Sequence, residues 1–427
     1  MERSRRELTD QILDAMTWLG LTWDEGPYFQ SERSAIYAAA AGRLLAEGRA
    51  YRAFETAEEL EAARKAAEAA GKVYRYGGAG RSLPREESDR RAAAGEKFVI
   101  RLRMPDEPIV VQDAVQGRAE FLPDALDDFI LVRSDGNPVY HFTVCVDDVE
   151  MGITHVIRGV DHLPNAPKHV ALFRALGAEP PVFAHLGMIL GPDGKKLSKR
   201  HGAAGAEEFR AAGYLPEALV NFLALLGWSP GEDRERMSLQ EMISLFSLER
   251  IGPSPSRFDH EKLTWLNGQF LQAVAPGRLL TLLEPFGLPA RDRETLERAV
   301  ALHLSRCRTL RELAQALRIY GDDPTEFEAA GMKKFGKPEL MTSLRALASR
   351  LAAVEPFAHA KMEDVARALA AETGVSLGSL AQPARLALTG SLASPPLFEM
   401  IEVLGKETTL RRILAFADRI EGRAGVS

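Results

Sequence analysis

Apolar residues recur at helical spacing from the start of the chain, with Leu8, Ile12, Ala15, Met16 and Leu19 on one face, which predicts a helix over residues 2–19. An aromatic-rich turn from Gly20 to Ser31 leads to a second helix, with Ser31 as its candidate N-cap, Ile36, Ala40, Leu44 and Leu45 as its apolar face, and Gly48 as its stop. Thr56 and Glu59 have the spacing of a capping box and open a third helix, rich in Ala, Glu and Arg, that ends at Gly71. The period then falls to two: Phe98, Ile100 and Leu102 alternate with Val99, Arg101 and Arg103, and PIVVQDAVQGRAEF extends the strand pattern. From Phe129 further strands are predicted: FILVR, an Asp135-Gly136 turn, PVYHFTVCVDD, then ITHVIRG. A helix over Leu163 to Leu176 ends at Gly177, and Val182 to Leu190 reads as one apolar strand. Gly191, Pro192 and Gly194 stop that strand, so the lysines behind it are held on a loop. Beyond Gly202 the pattern is almost wholly helical: Tyr214–Ser229, Phe258–Asn267, then Ala-Leu-Arg-rich helices from about Pro276, broken at Gly321–Pro324 and Glu372–Gly374.

This succession predicts an α/β fold with a Rossmann-type nucleotide-binding domain, interrupted by an α+β insert and followed by an all-α C-terminal region. A chain of 427 residues exceeds one core and implies about two to four domains. No stretch is apolar for long enough to cross a membrane, and MERSRRELTDQ is charged with no apolar run behind it, so the cytoplasm is the expected compartment. Cys145 and Cys307 lie far apart, which offers neither a disulfide framework nor a Cys-rich zinc site. The net charge of -6 does not advertise nucleic acid; an RNA partner would require the basic residues to gather on one face.

Candidate chemistry concentrates at predicted strand ends. Lys195, Lys196, Lys199 and Arg200 crowd around Ser198 just past the Val182–Leu190 strand, where ammonium groups could meet polyphosphate in the crevice beyond a parallel sheet. A solvated basic turn is the plainer alternative. Arg158 ends the ITHVIRG strand and could clasp a carboxylate with its planar fork or serve a structural ion pair. Asp147 and Asp148 could be an acid/base or metal pair, but adjacent aspartates ahead of a helix read more simply as a cap. His155, His162 and His169 recur every seven residues without a clustered carboxylate, so a core or surface role is preferred over a metal site.

The string Lys196-Leu197-Ser198-Lys199-Arg200-His201-Gly202 closely resembles the second signature motif of the class I aminoacyl-tRNA synthetases, in its glutamyl-tRNA synthetase form. WLGLTWDEGPYFQSER, YHFTVCVDDVEMGITHVIRGVDHLPNAPK and the Leu380–Ser391 segment resemble the same bacterial-type family. The resemblance implies a glutamate–tRNA ligase that uses ATP with Mg²⁺ to make glutamyl-AMP and passes the acyl group to tRNA(Glu), working as a monomer. It implies catalytic roles for Lys196 and Lys199, ATP binding by Lys199, Ser198, Arg200, Met188 and Ile189, and glutamate binding by Tyr140, Arg158, Asp161 and His162. It also implies a division into a Rossmann-type catalytic domain (1–49 and 129–200), an acceptor-end-binding insert (50–128), a helical stem-contact domain (201–275) and an anticodon-binding region (276–427).

Three departures qualify the resemblance. The family opens with a strand and a first signature motif (His-Ile-Gly-His or His-Ile-Gly-Gly); here Met1-Glu2-Arg3-Ser4 falls past both, which suggests a misplaced or trimmed start rather than a true truncation. Many relatives bind zinc in the insert, but Tyr51–Glu55 and Tyr76–Arg81 offer neither thiolate nor imidazole, so no metal site and no zinc are expected. Val144 stands where some relatives place a polar residue in the glutamate pocket. The alternatives are a catalytically inactive, tRNA-binding paralogue or a transferase that glutamylates a modified tRNA base; an anticodon-binding region counts against the latter.

Overall fold

The computed structural model describes residues 6–71, 74, 76, 78–198 and 205–424. The chain divides into two compact units, one of residues 21–203 and 223–258, the other of residues 1–20, 204–222 and 259–427.

The first unit carries the sheets. Strands β1 (Ala50–Ala53), β2 (Val99–Leu102) and β5 (Ile130–Val132) form an antiparallel sheet in the order β1-β2-β5. Strands β3 (Ile109–Asp113), β4 (Gly117–Phe121), β6 (His155–Gly159) and β7 (Val182–Leu186) form a second, ordered β4-β3-β7-β6, in which β7 runs parallel to both β3 and β6. A short parallel pair, β8 (Ile189–Leu190) and β9 (Ser256–Arg257), stands apart. Helix α1 (Arg6–Leu19) belongs to the other unit; α2 (Ser34–Ala46), α3 (Ala57–Ala69), α4 (Arg85–Ala93), α5 (Tyr140–Glu150) and α6 (Ala166–Ala175) belong to this one. β6, α6 and β7 make a βαβ unit, the connection parallel neighbours require. Its core joins Ile109, Val111 and Phe183 of the sheet to Phe142, Cys145, Val146, Leu172 and Phe173 of α5 and α6.

Several expectations are corrected. PVYHFTVCVDD does not continue as a strand: it turns at Pro138, where Val132 bridges Pro138, and Tyr140–Glu150 is helix. The Phe142 and Thr143 N–H groups turn back to the Val139 carbonyl, and Phe142, Cys145 and Val146 then make a buried stripe at helical spacing. Burial of that stripe outweighs the strand preference of its β-branched residues. Asp147 and Asp148 are accordingly not a cap ahead of a helix but lie within α5. Ser31 sits in a 3₁₀ turn, Gln30–Glu32, and α2 starts only at Ser34. The single strand Val182 to Leu190 is two, β7 and β8, because the chain bends at Gly187 against the backbone of Ser254, where a Cβ would come within 2.0 Å of the Ser254 carbonyl oxygen. The Thr56–Glu59 capping box is present in both directions, at 3.2 and 2.8 Å.

The second unit is helical. Its largest core gathers Leu271, Leu279, Leu283, Leu313, Leu317, Tyr320, Leu344, Leu369, Leu386 and Met400, among others, from helices between His260 and Ala424. Asp259 caps His260–Ala273 by accepting from the Glu261 and Lys262 N–H groups. The predicted helix over Tyr214–Ser229 is shorter, Pro216–Ala224. The break at Gly321–Pro324 has a clear use: Arg412, 3% exposed, donates to the freed Ile319 and Asp322 carbonyls and to Asp323. Among the described residues no helix is long and apolar enough to cross a membrane.

Candidate active site

Three parallel strand ends assemble the centre. Arg158, next to last in β6, is in register with His185 on β7, and Asp113 ends β3. Asp113 and His185 have fully buried side chains, and the His185 Nδ1 lies 2.5 Å from Asp113 Oδ2. The other Asp113 oxygen accepts from three backbone N–H groups, of Val115 (3.0 Å), Gln116 (2.8 Å) and His185 (3.1 Å). Although burial opposes ionisation, these bonds together hold the Asp113 carboxyl below its ordinary range. Arg158 donates from Nε to His185 Nε2 at 3.1 Å, while its Nη2 makes only long 3.5 Å contacts with the His162 carbonyl and His169 Nδ1.

The start of α5 and the body of α6 complete this end of the sheet. His141 Nδ1 lies 3.1 Å from His169 Nε2, and the half-exposed Tyr140 ring packs near both imidazoles. Burial, reinforced by the Arg158 charge, pushes His169 down to about 3, so it is neutral at physiological pH. Nearly two turns later in α5, Asp147 accepts from Arg33 Nε (2.8 Å), Gln30 Nε2 (3.0 Å) and Tyr37 Oη (2.8 Å), tying α2 to α5. Its neighbour Asp148 is pushed up to about 6 by burial and the Asp147 charge.

The lysine loop is a tight reversal. Gly191 N–H bonds to the Lys195 carbonyl (2.8 Å) and Leu197 N–H to the Ile189 carbonyl (2.9 Å), while Asp193 Oδ1 accepts from Lys195 N–H (3.0 Å). Lys196 reaches Asp161 Oδ2 at 2.6 Å, and that contact, first among several, lowers the Asp161 carboxyl. Asp161 and His162 lie on a 3₁₀ turn, Val160–Asn165, immediately after β6, and the α-helix predicted from Leu163 starts only at Ala166. Met188 and Ile189 are half-buried at the base of the loop, and Ser198 is exposed beyond it. Lys199 and Arg200 lie outside the described residues. A cavity of about 380 Å³ opens beside Arg158, lined by Ile157, Gly159, Leu186 and Ile189 on one side and Trp228, Met242 and Phe246 on another.

The structure thus brings Tyr140, Arg158, Asp161, His162 and Lys196 to one end of the parallel strands. Sequence reasoning missed Asp113, His185 and His141: Asp113 closes β3, but His185 is next to last in β7 and His141 lies in the first turn of α5, so no local signal joins them, and the meeting of Asp113 with His185 is set by strand order. Around the Tyr51–Glu55 segment, Tyr51 donates to Asp128 at 2.6 Å, Tyr76 to Glu55 at 2.9 Å, and Arg101 stacks 3.7 Å over the Tyr76 ring. Among the described residues no group of three or more His, Cys, Asp or Glu is disposed to hold a metal ion.

The sequence model described as tRNA synthetases class I (E and Q), catalytic domain, matches residues 1–265, and an anticodon binding domain model matches residues 278–417. A glutamate–tRNA ligase of Thermodesulfovibrio yellowstonii is 44% identical over 97% of this chain and 90% of its own length, and one of Syntrophobacter fumaroxidans is 44% identical over 98% and 90%. The crystal structure of a glutamate tRNA ligase from Elizabethkingia meningosepticum in complex with its amino acid superposes with a TM-score of 0.87 at 34% identity, covering 98% of this chain and 90% of that one. On that likeness across nearly the whole sequence, the chain belongs to the glutamate–tRNA ligase family of class I aminoacyl-tRNA synthetases.

Proposed function

We propose that this protein joins L-glutamate to the 3′ end of tRNA(Glu) at the expense of ATP, with Arg158 and Tyr140 receiving the amino acid and the lysine loop receiving the triphosphate. The observation that carries this reading is the placement of Arg158: its Nε donates to His185 Nε2, and among the described residues no carboxylate forms an ion pair with it. A guanidinium fixed in this way at a strand end retains N–H groups for an incoming carboxylate.

The chemistry follows from that placement. The α-carboxylate of glutamate attacks the α-phosphorus of ATP, the bond to the bridging oxygen breaks, and pyrophosphate leaves with its electron pair. The tRNA terminal hydroxyl then attacks the acyl carbonyl and AMP departs. Lys196, together with Lys199, stabilises the negative charge that builds on the phosphates, a contribution that grows toward the transition state. Lys196 is held by Asp161 at 2.6 Å, so this carboxylate keeps the ammonium poised at the loop until phosphate oxygens take it over. Mg²⁺ belongs to the substrate, as the salt of ATP; Asp193 within the loop accepts from the Lys195 N–H group, and Asp161 is engaged by Lys196. We further assign residues 50–128 to the acceptor end, 201–275 to stem contact and 276–427 to the anticodon, and we assign a monomer of the cytoplasm without zinc. Met188, Ile189, Ser198 and Arg200 are assigned to ATP, and Asp161 with His162 to the rim of the glutamate pocket.

Glutamate- and tRNA-dependent exchange of pyrophosphate into ATP by the full gene product tests the reading. Arg158→Ala should raise KM for glutamate by about 100-fold with little change in KM for ATP, whereas Lys196→Ala should lower kcat by about 100-fold with KM for glutamate preserved. A protein that binds tRNA but exchanges no pyrophosphate would be a binding paralogue and would overturn the proposal.

A further inference from the structure

We infer that the buried pair Asp113–His185 is a positioning device for Arg158: it fixes the tautomer of His185 so that one ring nitrogen can hold the guanidinium by Nε and aim its terminal nitrogens outward. The inference rests on the reading of Arg158 as the carboxylate ligand and extends it to two residues that touch no substrate.

The argument is one of proton bookkeeping. A guanidinium only donates, so the His185 Nε2 facing Arg158 Nε at 3.1 Å must be an unprotonated acceptor. The ring proton of neutral His185 is therefore on Nδ1, which faces Asp113 Oδ2 at 2.5 Å, and that carboxylate is what favours this tautomer over the other. Gln116 Nε2 donates to the His185 carbonyl at 2.8 Å and pins the same residue through its backbone. The three partners stand on three adjacent parallel strands, β3, β7 and β6, so the constraint runs across the sheet rather than along one element. A charged or polar pair whose side chains are fully buried is poor value for stability alone, since well-packed apolar residues would serve as well.

Asp113 also has a purely structural task, in accepting from the Val115, Gln116 and His185 N–H groups through Oδ1. That division supplies the test. In Asp113→Asn the three backbone donors oblige the amide oxygen to take the Oδ1 place, so the NH₂ group faces His185 Nδ1. The ring proton must then move to Nε2, where it opposes Arg158 Nε–H. The backbone contacts persist; only the tautomer changes.

The experiment compares the full-length wild type, Asp113→Asn, His185→Gln, His185→Phe and Arg158→Lys. Its readouts are ¹⁵N shifts of the His185 ring, KM for glutamate and for ATP in pyrophosphate exchange, and thermal melting. The wild type should show protonated Nδ1 and lone-pair Nε2, and Asp113→Asn the reverse. Asp113→Asn and His185→Phe should each raise KM for glutamate by about tenfold or more with KM for ATP within about twofold, and His185→Gln, whose amide oxygen can still accept from Arg158, should recover most of the loss. A wild-type ring protonated on Nε2, an unchanged KM for glutamate in Asp113→Asn, or losses shared equally by both substrates and tracking the melting temperature would each overturn the inference. Should Asp113→Asn not fold, the wild-type ring shifts and the Gln-versus-Phe comparison decide alone. If Arg158→Lys leaves KM for glutamate unchanged, the assignment of Arg158 itself is wrong; if it raises KM while Asp113→Asn does not, only the positioning role falls.

Discussion

At the scale of single residues, function here depends on how closely a few atoms are made to approach. Gly187 separates β7 from β8, and any side chain there would drive a Cβ to 2.0 Å from the Ser254 carbonyl oxygen and 2.5 Å from its carbon, both backbone atoms that cannot rotate away. Gly187→Ala should therefore destabilise the protein by about 2 kcal/mol or more and shift the lysine loop that β8 anchors. Urea unfolding would measure the first effect; pyrophosphate exchange by the surviving folded fraction would show reduced kcat for the second. The sequence announced a turn around Gly191 and Gly194 but gave no sign that Gly187 was special, since the atom it avoids lies 67 positions away in the chain. Arg158 and Lys196 were visible as strand-end cations. What each one touches was not, because His185 and Asp161 reach them only through strand register and the turn after β6.

At the scale of elements, the packing of α2 on α5 turns on one carboxylate. Asp147 is almost buried and accepts from Arg33, Gln30 and Tyr37, and burial with this bond pushes the Tyr37 hydroxyl up to about 12. Asp147→Ala would strand the Arg33 and Tyr37 donors, so a loss of about 3 kcal/mol is expected. Denaturant unfolding of the variant checks it, and Tyr37→Phe in the same background should then cost less than it does alone, because its partner is already gone. The local signal around this carboxylate misled: YHFTVCVDD is dense in β-branched residues and follows a hairpin, so its propensity reads strand. A helix forms because Phe142, Cys145 and Val146 must face the α6 and sheet core together, a requirement no local window contains. Where the signal was local, as in the Thr56–Glu59 capping box or the Gly177 stop, the reading held to the residue.

At the scale of the whole molecule, the two units share an exposure to acid. His303, in the core of the helical unit beside Tyr320 Oη at 3.1 Å, is pushed down to about 4 by burial, and His169 in the sheet unit to about 3. A depressed histidine contributes stability that is fully present above its unfolded value near 6.5 and is lost as pH falls through the folded value, by a few kcal/mol for each buried group. Asp148 acts in the opposite sense: raised to about 6, it contributes stability present below its ordinary value of 3.8 and lost as pH rises through 6. Two buried imidazoles outweigh one half-buried carboxyl, so unfolding free energy should fall between pH 6.5 and 4, and His303→Gln should flatten that slope while lowering stability at pH 7; urea titrations at several pH values read both. By itself the sequence determined the α/β-then-helical succession, the lysine loop and the family, because periodicity, turn glycines and contiguous motifs are properties of neighbouring residues. Only the tertiary structure decided that Asp113, His185 and Arg158 form one hydrogen-bonded row, since strand order, which no stretch of chain encodes alone, brings together three residues from positions 113, 158 and 185.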